Sequence, residues 1–278
     1  LEFRRVLFRS VQSGAGIIGG CCGTSPEHIK RMRNMLNSLK PELKSKKYDI
    51  VEVHEKIEVE PTPQEKKSRL ARRLKEGHFV KFVELLSPHG VSPEKQVEKA
   101  RELFYYGMDV INIPDGPRAS ARMSALALAV LIQRDVGIET LLHYVCRDRN
   151  VIGMQSDLLG AYALGLKNIL AITGDPPKLG NYPDATAVFD VDAIGLVNIL
   201  NRLNHGLDIA GNPIGEPTGF FVGVGANPGA VNLDEEIRRL DWKVDAGAEY
   251  IITQPVFDLE IFEKFMKRIE HIDVPLIA

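Results

Sequence analysis

Four polar side chains interrupt or close apolar runs of this sequence, and each is of a type that can do chemistry. Glu84 stands inside Phe82-Val83-Glu84-Leu85-Leu86, and His143 inside Leu141-Leu142-His143-Tyr144-Val145. Asp175 follows Ala171-Ile172-Thr173-Gly174, and Gln254 follows Tyr250-Ile251-Ile252-Thr253. Burying such groups costs free energy unless they are paired. An apolar neighbourhood also raises a carboxyl pKa, which suits an acid working near neutral pH. Val83 and Leu85-Leu86 are expected to supply that neighbourhood for Glu84. Each residue has a plainer account as well. Glu84 could be half of a buried ion pair, and His143 a satisfied core histidine. Asp175, before Pro176-Pro177, could be a turn former, and Gln254 a structural brace. The joint pattern weighs against these accounts, because six successive apolar runs carry polar residues at or just beyond their ends. The others are Asn112 and Asp115, then Arg147, Asp148 and Asn150, then Asn227.

Seven apolar runs have to position these groups: 79–86, 110–113, 140–146, 168–173, 219–226, 250–256 and 274–278. Most lack polar alternation, as strands buried on both faces do. Between them lie segments of helical period. One apolar stripe is Val97, Ala100, Leu103 and Phe104, a second is Ile237, Leu240, Val244 and Ala248, and a third is Leu259, Phe262, Met266 and Ile269. Ser92-Pro93-Glu94 reads as a helix start, and Gly107, Gly137, Gly165 and Gly247 as helix ends. Asp148 and Asn150 are placed to cap the helix that follows them. Seven strand–helix units predict an α/β fold, a (β/α)8 TIM barrel ending after strand seven, with a short remnant of a second barrel before it. An open Rossmann-type sheet is the structural alternative, disfavoured because no Gly-x-Gly-x-x-Gly follows the first strand. In such barrels chemistry sits at the C-terminal strand ends, where these polar residues fall.

Composition sets the outer bounds. The chain has 278 residues, 44% hydrophobic and 26% charged, with a formal net charge of -2. Neither a nucleic acid nor an acidic membrane surface is indicated as a partner. No apolar run is long enough to span a bilayer, and three cysteines are not a disulfide framework, so a cytoplasmic location is expected. Residues 1–10 read as a foreign junction and 11–40 as the tail of an upstream domain. Residues 41–76, half of them charged, read as a linker whose last part, 64–76, could be an amphipathic helix with Leu70 and Leu74 one turn apart. The barrel takes 77–278 and is expected to be incomplete at its C-terminal end.

The segments VELLSP, HYVCRDRN, ITGDPP and KVDAGAEYIITQPVFD together resemble the methylenetetrahydrofolate reductases. IPDGPRASARMS resembles the branch fused to a homocysteine S-methyltransferase domain, and GIIGGCCGTSPEHIKRM resembles the end of that domain. The resemblance implies a parent protein with two activities. One is FAD-dependent reduction of 5,10-methylenetetrahydrofolate to 5-methyltetrahydrofolate by NAD(P)H, in one-carbon metabolism and methionine biosynthesis. The other is methylation of homocysteine. By position, Glu84 matches the acid that protonates folate N10. Asp175 matches the carboxylate near flavin and pterin that steadies the iminium cation at N5, and Gln254 the side chain that binds the pterin. His143, Thr173, Ala226 and Lys243 match flavin-pocket positions, and Phe189 an aromatic that packs on the cofactor. Cys21 and Cys22 match two thiolates of a zinc set whose third ligand lies upstream, so the zinc set here is incomplete. The implied partners are folate, nicotinamide and, in the full-length protein, homocysteine; a homo-oligomer is compatible with them. The chain departs from the pattern at Ile113-Pro114-Asp115 and Gly225-Ala226-Asn227, where other members carry tyrosines. A flavin-free folate-binding barrel methyltransferase and an inactive fragment stand as rival readings.

Overall fold

The computed structural model describes Gly19, residues 24–38 and residues 59–278. The chain divides into two compact units, Leu1–Ile57 and Glu58–Ala278. The described part of the first is mainly one helix, α1 (Pro26–Ser38). Its start follows from local chemistry: proline occupies the first turn, and the amide of His28 donates to Ser25 Oγ (3.4 Å).

In the second unit the order is α2 (Gln64–Lys67), α3 (Arg69–Lys75), β1 (Phe82–Glu84), α4 (Glu94–Tyr105), β2 (Val110–Ile113), α5 (Ala125–Val136), β3 (Glu139–Val145), α6 (Val151–Ala163), β4 (Asn168–Ile172), α7 (Ala193–Asn204), β5 (Phe221–Ala226), α8 (Leu233–Asp245), β6 (Tyr250–Thr253), α9 (Leu259–Arg268) and β7 (Leu276–Ile277). All neighbouring strands are parallel, and the sheet order is the chain order from β1 to β7. This is the (β/α)-barrel arrangement expected from the seven apolar runs; six of them contain their strand, and β3 starts one residue before its run, at Glu139.

Strand alternation builds two cores. One face of β2 to β7 packs under the helices, as Ile111, Leu142, Ile169, Val224, Ile251 and Leu276 do. The other faces meet in a single inner cluster that includes Phe82, Val110, Leu141, Leu170, Phe221, Tyr250 and Ile277, so the sheet is curled on itself. Tyr250 fills the centre. Its ring stacks on Phe221, 4.6 Å between centroids, and its hydroxyl donates to the Ile169 carbonyl (2.9 Å). Gly223 makes this possible, because a Cβ there would stand 2.1 Å from the Tyr250 ring.

The helix expected at 64–76 forms in two pieces broken at Ser68, whose Oγ accepts from Ala71 N (2.9 Å) and starts α3. Its apolar face closes the bottom of the barrel. Leu70 and Ala71 are buried in the inner cluster, and Leu74 packs against it. Three carboxylates just before or at the strand starts pin this floor. Glu139 accepts from the amides of Arg69 (2.8 Å) and Leu70 (2.9 Å), the free N–H groups of the helix start. Glu249 holds the Lys67 ammonium at 2.8 Å, and Asp109 meets Arg73 at 3.1 Å.

Two expectations shift. Pro93, not Ser92, takes the cap position of α4, with no side-chain bond. The buried face of α9 is centred on Phe265 and Ile269, whereas Leu259 and Met266 are exposed. The sequence stripe is turned by part of a helical step because Phe265, the fully buried aromatic of this helix, sets the packing face.

Candidate functional site

The C-terminal ends of the strands open into a cavity of about 1020 Å³ lined from β1 round to β7. Glu84, His143, Thr173, Asp175, Ala226, Lys243 and Gln254 all border it. Phe189 is not in its lining: it is half-buried against the outer core, with a left-handed φ of 42°. Cys21 and Cys22 lie outside the described residues. Among the described residues no cluster of three or more His, Cys, Asp or Glu side chains could hold a metal ion, and no helix is long and apolar enough to cross a membrane.

Strand parity decides what each residue offers. Phe82 faces the inner cluster, so Glu84, two residues on, projects to the same interior and is in register with Asn112. The same parity overturns the apolar surroundings expected for Glu84. Leu85 is buried in the outer core, Leu86 is exposed, and Glu84 is itself exposed within the cavity. Neighbours in a strand sequence point to opposite faces, so they cannot wrap one another.

Three buried polar atoms at the cavity lack a hydrogen-bond partner among the described residues: Asn112 Oδ1, His143 Nε2 and Thr253 Oγ1. Buried polar atoms are seldom left so. Burial pushes the His143 pKa down to about 4, so its imidazole is neutral at physiological pH. The Thr173 hydroxyl accepts from Ala193 N (3.0 Å) and steadies the start of α7. Lys243 is buried, and its ammonium donates to the Gly225 carbonyl (2.7 Å). Burial lowers its pKa, against the pull of the nearby Glu236 carboxylate. The backbone N–H of Gln254 donates to Ala226 O (2.7 Å), leaving its exposed amide side chain at the rim. Asp115 is already committed, to Arg149 (2.8 Å) and to Val145 N (3.3 Å). Asn150 caps α6 through Gly153 N (2.8 Å), as expected from its position.

Sequence reading missed Glu236 and Arg239. Both line the cavity on the face of α8 that carries Lys243. The spacing 236, 239, 243 is one helical face and was available in the sequence. It flanks the apolar stripe of Ile237, Leu240 and Val244, and a polar face beside such a stripe has the pattern of an ordinary solvent-facing one. Glu236 accepts from Asn227 N (3.0 Å), and Arg239 pairs with Asp192 at 2.6 Å. The exposed Phe257, near the end of the KVDAGAEYIITQPVFD segment but given no role there, also borders the mouth.

The methylenetetrahydrofolate reductase family model matches residues 69–278, and the homocysteine S-methyltransferase family model matches residues 2–36. A probable methylenetetrahydrofolate reductase (NADH) of Oryza sativa is 30% identical over 186 residues, which cover 64% of this chain and 30% of that protein. A 5,10-methylenetetrahydrofolate reductase of Pectobacterium carotovorum is 25% identical over 159 residues, covering 57% of this chain and 48% of that protein. The chain thus spans between about a third and a half of the length of these relatives. Among solved structures, a Clostridium thermocellum protein described as binding two copies of 5-methyl-5,6,7,8-tetrahydrofolic acid superposes with a TM-score of 0.52 at 18% identity, over 76% of this chain and 68% of that one. A 2,3-dimethylmalate lyase superposes with a TM-score of 0.53 at 12% identity, over 78% and 71%. At such identities these two speak for the fold alone.

Proposed function

This chain belongs to the methylenetetrahydrofolate reductase family, whose model spans its residues 69–278, and from that premise we propose that its barrel reduces 5,10-methylenetetrahydrofolate to 5-methyltetrahydrofolate with FAD and NAD(P)H. The observation that carries the reading is the gathering of Glu84, His143, Asp175, Lys243 and Gln254, from five different strand–helix units, around one cavity.

The lining fits a flavin. The unpartnered Asn112 Oδ1, His143 Nε2 and Thr253 Oγ1 suit a heterocycle with donors and acceptors along its edge. His143, Thr173, Ala226 and Lys243 would hold it; the part assigned to Phe189 would require it to leave the outer core. When bound, the flavin supplies the two-electron chemistry between nicotinamide and folate. The chain's own residues supply the rest. Glu84, open to the cavity, donates a proton to folate N10 and so opens the five-membered ring. Asp175 sets a negative charge beside the resulting iminium at N5, and Gln254 orients the pterin by hydrogen bonds through its side-chain amide. Neutral His143 can present either a donor or an acceptor without adding charge.

Homocysteine methylation by the parent protein, with Cys21 and Cys22 as two zinc thiolates, is a separate proposal that rests on the match at residues 2–36. A cytoplasmic site of action and a homo-oligomeric state likewise stand as proposals.

A visible spectrum of the purified protein, followed by NAD(P)H oxidation with and without 5,10-methylenetetrahydrofolate, tests the reductase reading. A flavin spectrum with folate-dependent oxidation is expected. Folate binding without flavin would overturn it in favour of a barrel methyltransferase.

A further inference from the structure

Arg147 is nearly fully buried at the cavity wall, and three strand–loop units converge on it. Its Nε and Nη2 grip the two oxygens of Asp148, each at 2.7 Å. Nη2 also donates to the Gly116 carbonyl after β2 (3.2 Å), and Nη1 to the Asp175 carbonyl after β4 (3.3 Å). Its own carbonyl accepts from Val188 N (2.9 Å), which brings in the segment before α7. The main chain on both sides is shaped around this side chain. Gly116 has φ +51°, and a Cβ there would lie 2.6 Å from Arg147 Nη2. Gly174, next to Asp175, has φ +93°, and a Cβ there would lie 3.3 Å from Arg147 Cβ. Gly116 therefore clears the space for the guanidinium, and Gly174 for the stems of Arg147 and Val145.

We propose that Arg147 is a positioning residue: by holding the Asp175 and Gly116 carbonyls on one planar fork, it fixes where the Asp175 carboxylate begins over the cavity. A guanidinium suits the task because its N–H groups diverge at fixed angles, whereas an ammonium offers a single point charge. Asp148 orients the fork and, being half exposed, keeps contact with water while it does so. Arg147 does not itself enter the chemistry, and the inference rests on the reading of Asp175 as a folate-site carboxylate.

The test is a double-mutant cycle on the full chain with 5-methyltetrahydrofolate as the probe, reading its dissociation constant, the kcat and KM of folate reduction, and Tm. Arg147→Lys should weaken probe binding or lower kcat by roughly 10- to 100-fold, the scale of an ångström-sized misplacement. Added to Asp175→Asn it should cost little more, within about threefold, because the two act as one unit. Gly116→Ala, which crowds the fork without removing it, should give the same phenotype and serves where Arg147→Lys folds poorly. If Asp175→Asn is impaired while Arg147→Lys is harmless, or its loss simply adds, the positioning role is overturned. A fall in Tm with binding and kcat intact overturns it too. If Asp175→Asn itself changes nothing, the reading of the site falls, and the inference with it.

Discussion

Glu84 and Asp175 bring two carboxylates to one cavity, and the proposed cycle asks different things of them. Hydride transfer from nicotinamide needs no acid at folate N10, whereas ring opening does. In flavin-loaded protein, Glu84→Gln should leave reduction by NAD(P)H within about tenfold of the parent and lower folate reduction by ~10²-fold or more. Stopped-flow absorbance follows the halves separately, and equal loss in both would assign Glu84 to cofactor binding or to the fold. His143 makes a prediction in pH. Its folded pKa of about 4 lies below the 6.5 of an open imidazole, so the unfolded chain binds the proton first. Stability is therefore fully present above about pH 6.5 and declines as pH falls toward 4, by up to roughly 3 kcal/mol. His143→Gln should flatten that stretch of a urea-derived stability profile, and an unchanged acid slope would place the titration elsewhere.

At the scale of elements, the floor helix α3 should matter for stability and not for chemistry. Glu139→Ala frees the amides of Arg69 and Leu70 and should cost about 1–2 kcal/mol. Leu70→Ala, in the inner cluster, should cost about 2–5 kcal/mol. Urea midpoints should fall in both while kcat per folded molecule holds; a matching fall in kcat would mean that floor and cavity are coupled. The strands themselves were legible in the sequence, because runs buried on both faces lose their polar alternation. So were the polar groups at their ends, since a carboxylate or imidazole amid aliphatic residues stands out. Adjacency in sequence suggests that Leu85 shields Glu84, whereas strand parity sends it to the opposite face. The apolar stripe of 64–76 was legible at Leu70 and Leu74, but not the surface it covers, because a stripe of so few residues does not say which end of the barrel it closes. The fork at Arg147 was hidden for a different reason. It depends on the φ angles of Gly116 and Gly174, which no side-chain pattern records.

At the scale of the whole molecule, the described sheet has two edges, at β1 and β7. Open strand edges template further pairing. The 278-residue chain is accordingly expected to self-associate as concentration rises, and sedimentation velocity showing a monomer throughout would refute this. The sheet order bears on how the molecule comes into being. Each strand pairs with the one made just before it, so the wall can be laid down as the chain leaves the ribosome. The floor cannot be finished that way. Lys67 waits for Glu249, 182 residues later, and synthesis at roughly 5–20 residues per second puts that partner about 9–36 s behind. For that interval α2 and α3 have been translated but α2 lacks its anchor at Lys67, with the Leu70 face of α3 not yet enclosed by the complete inner cluster. Nascent chains halted before β6 should therefore be the ones that chaperones hold longest.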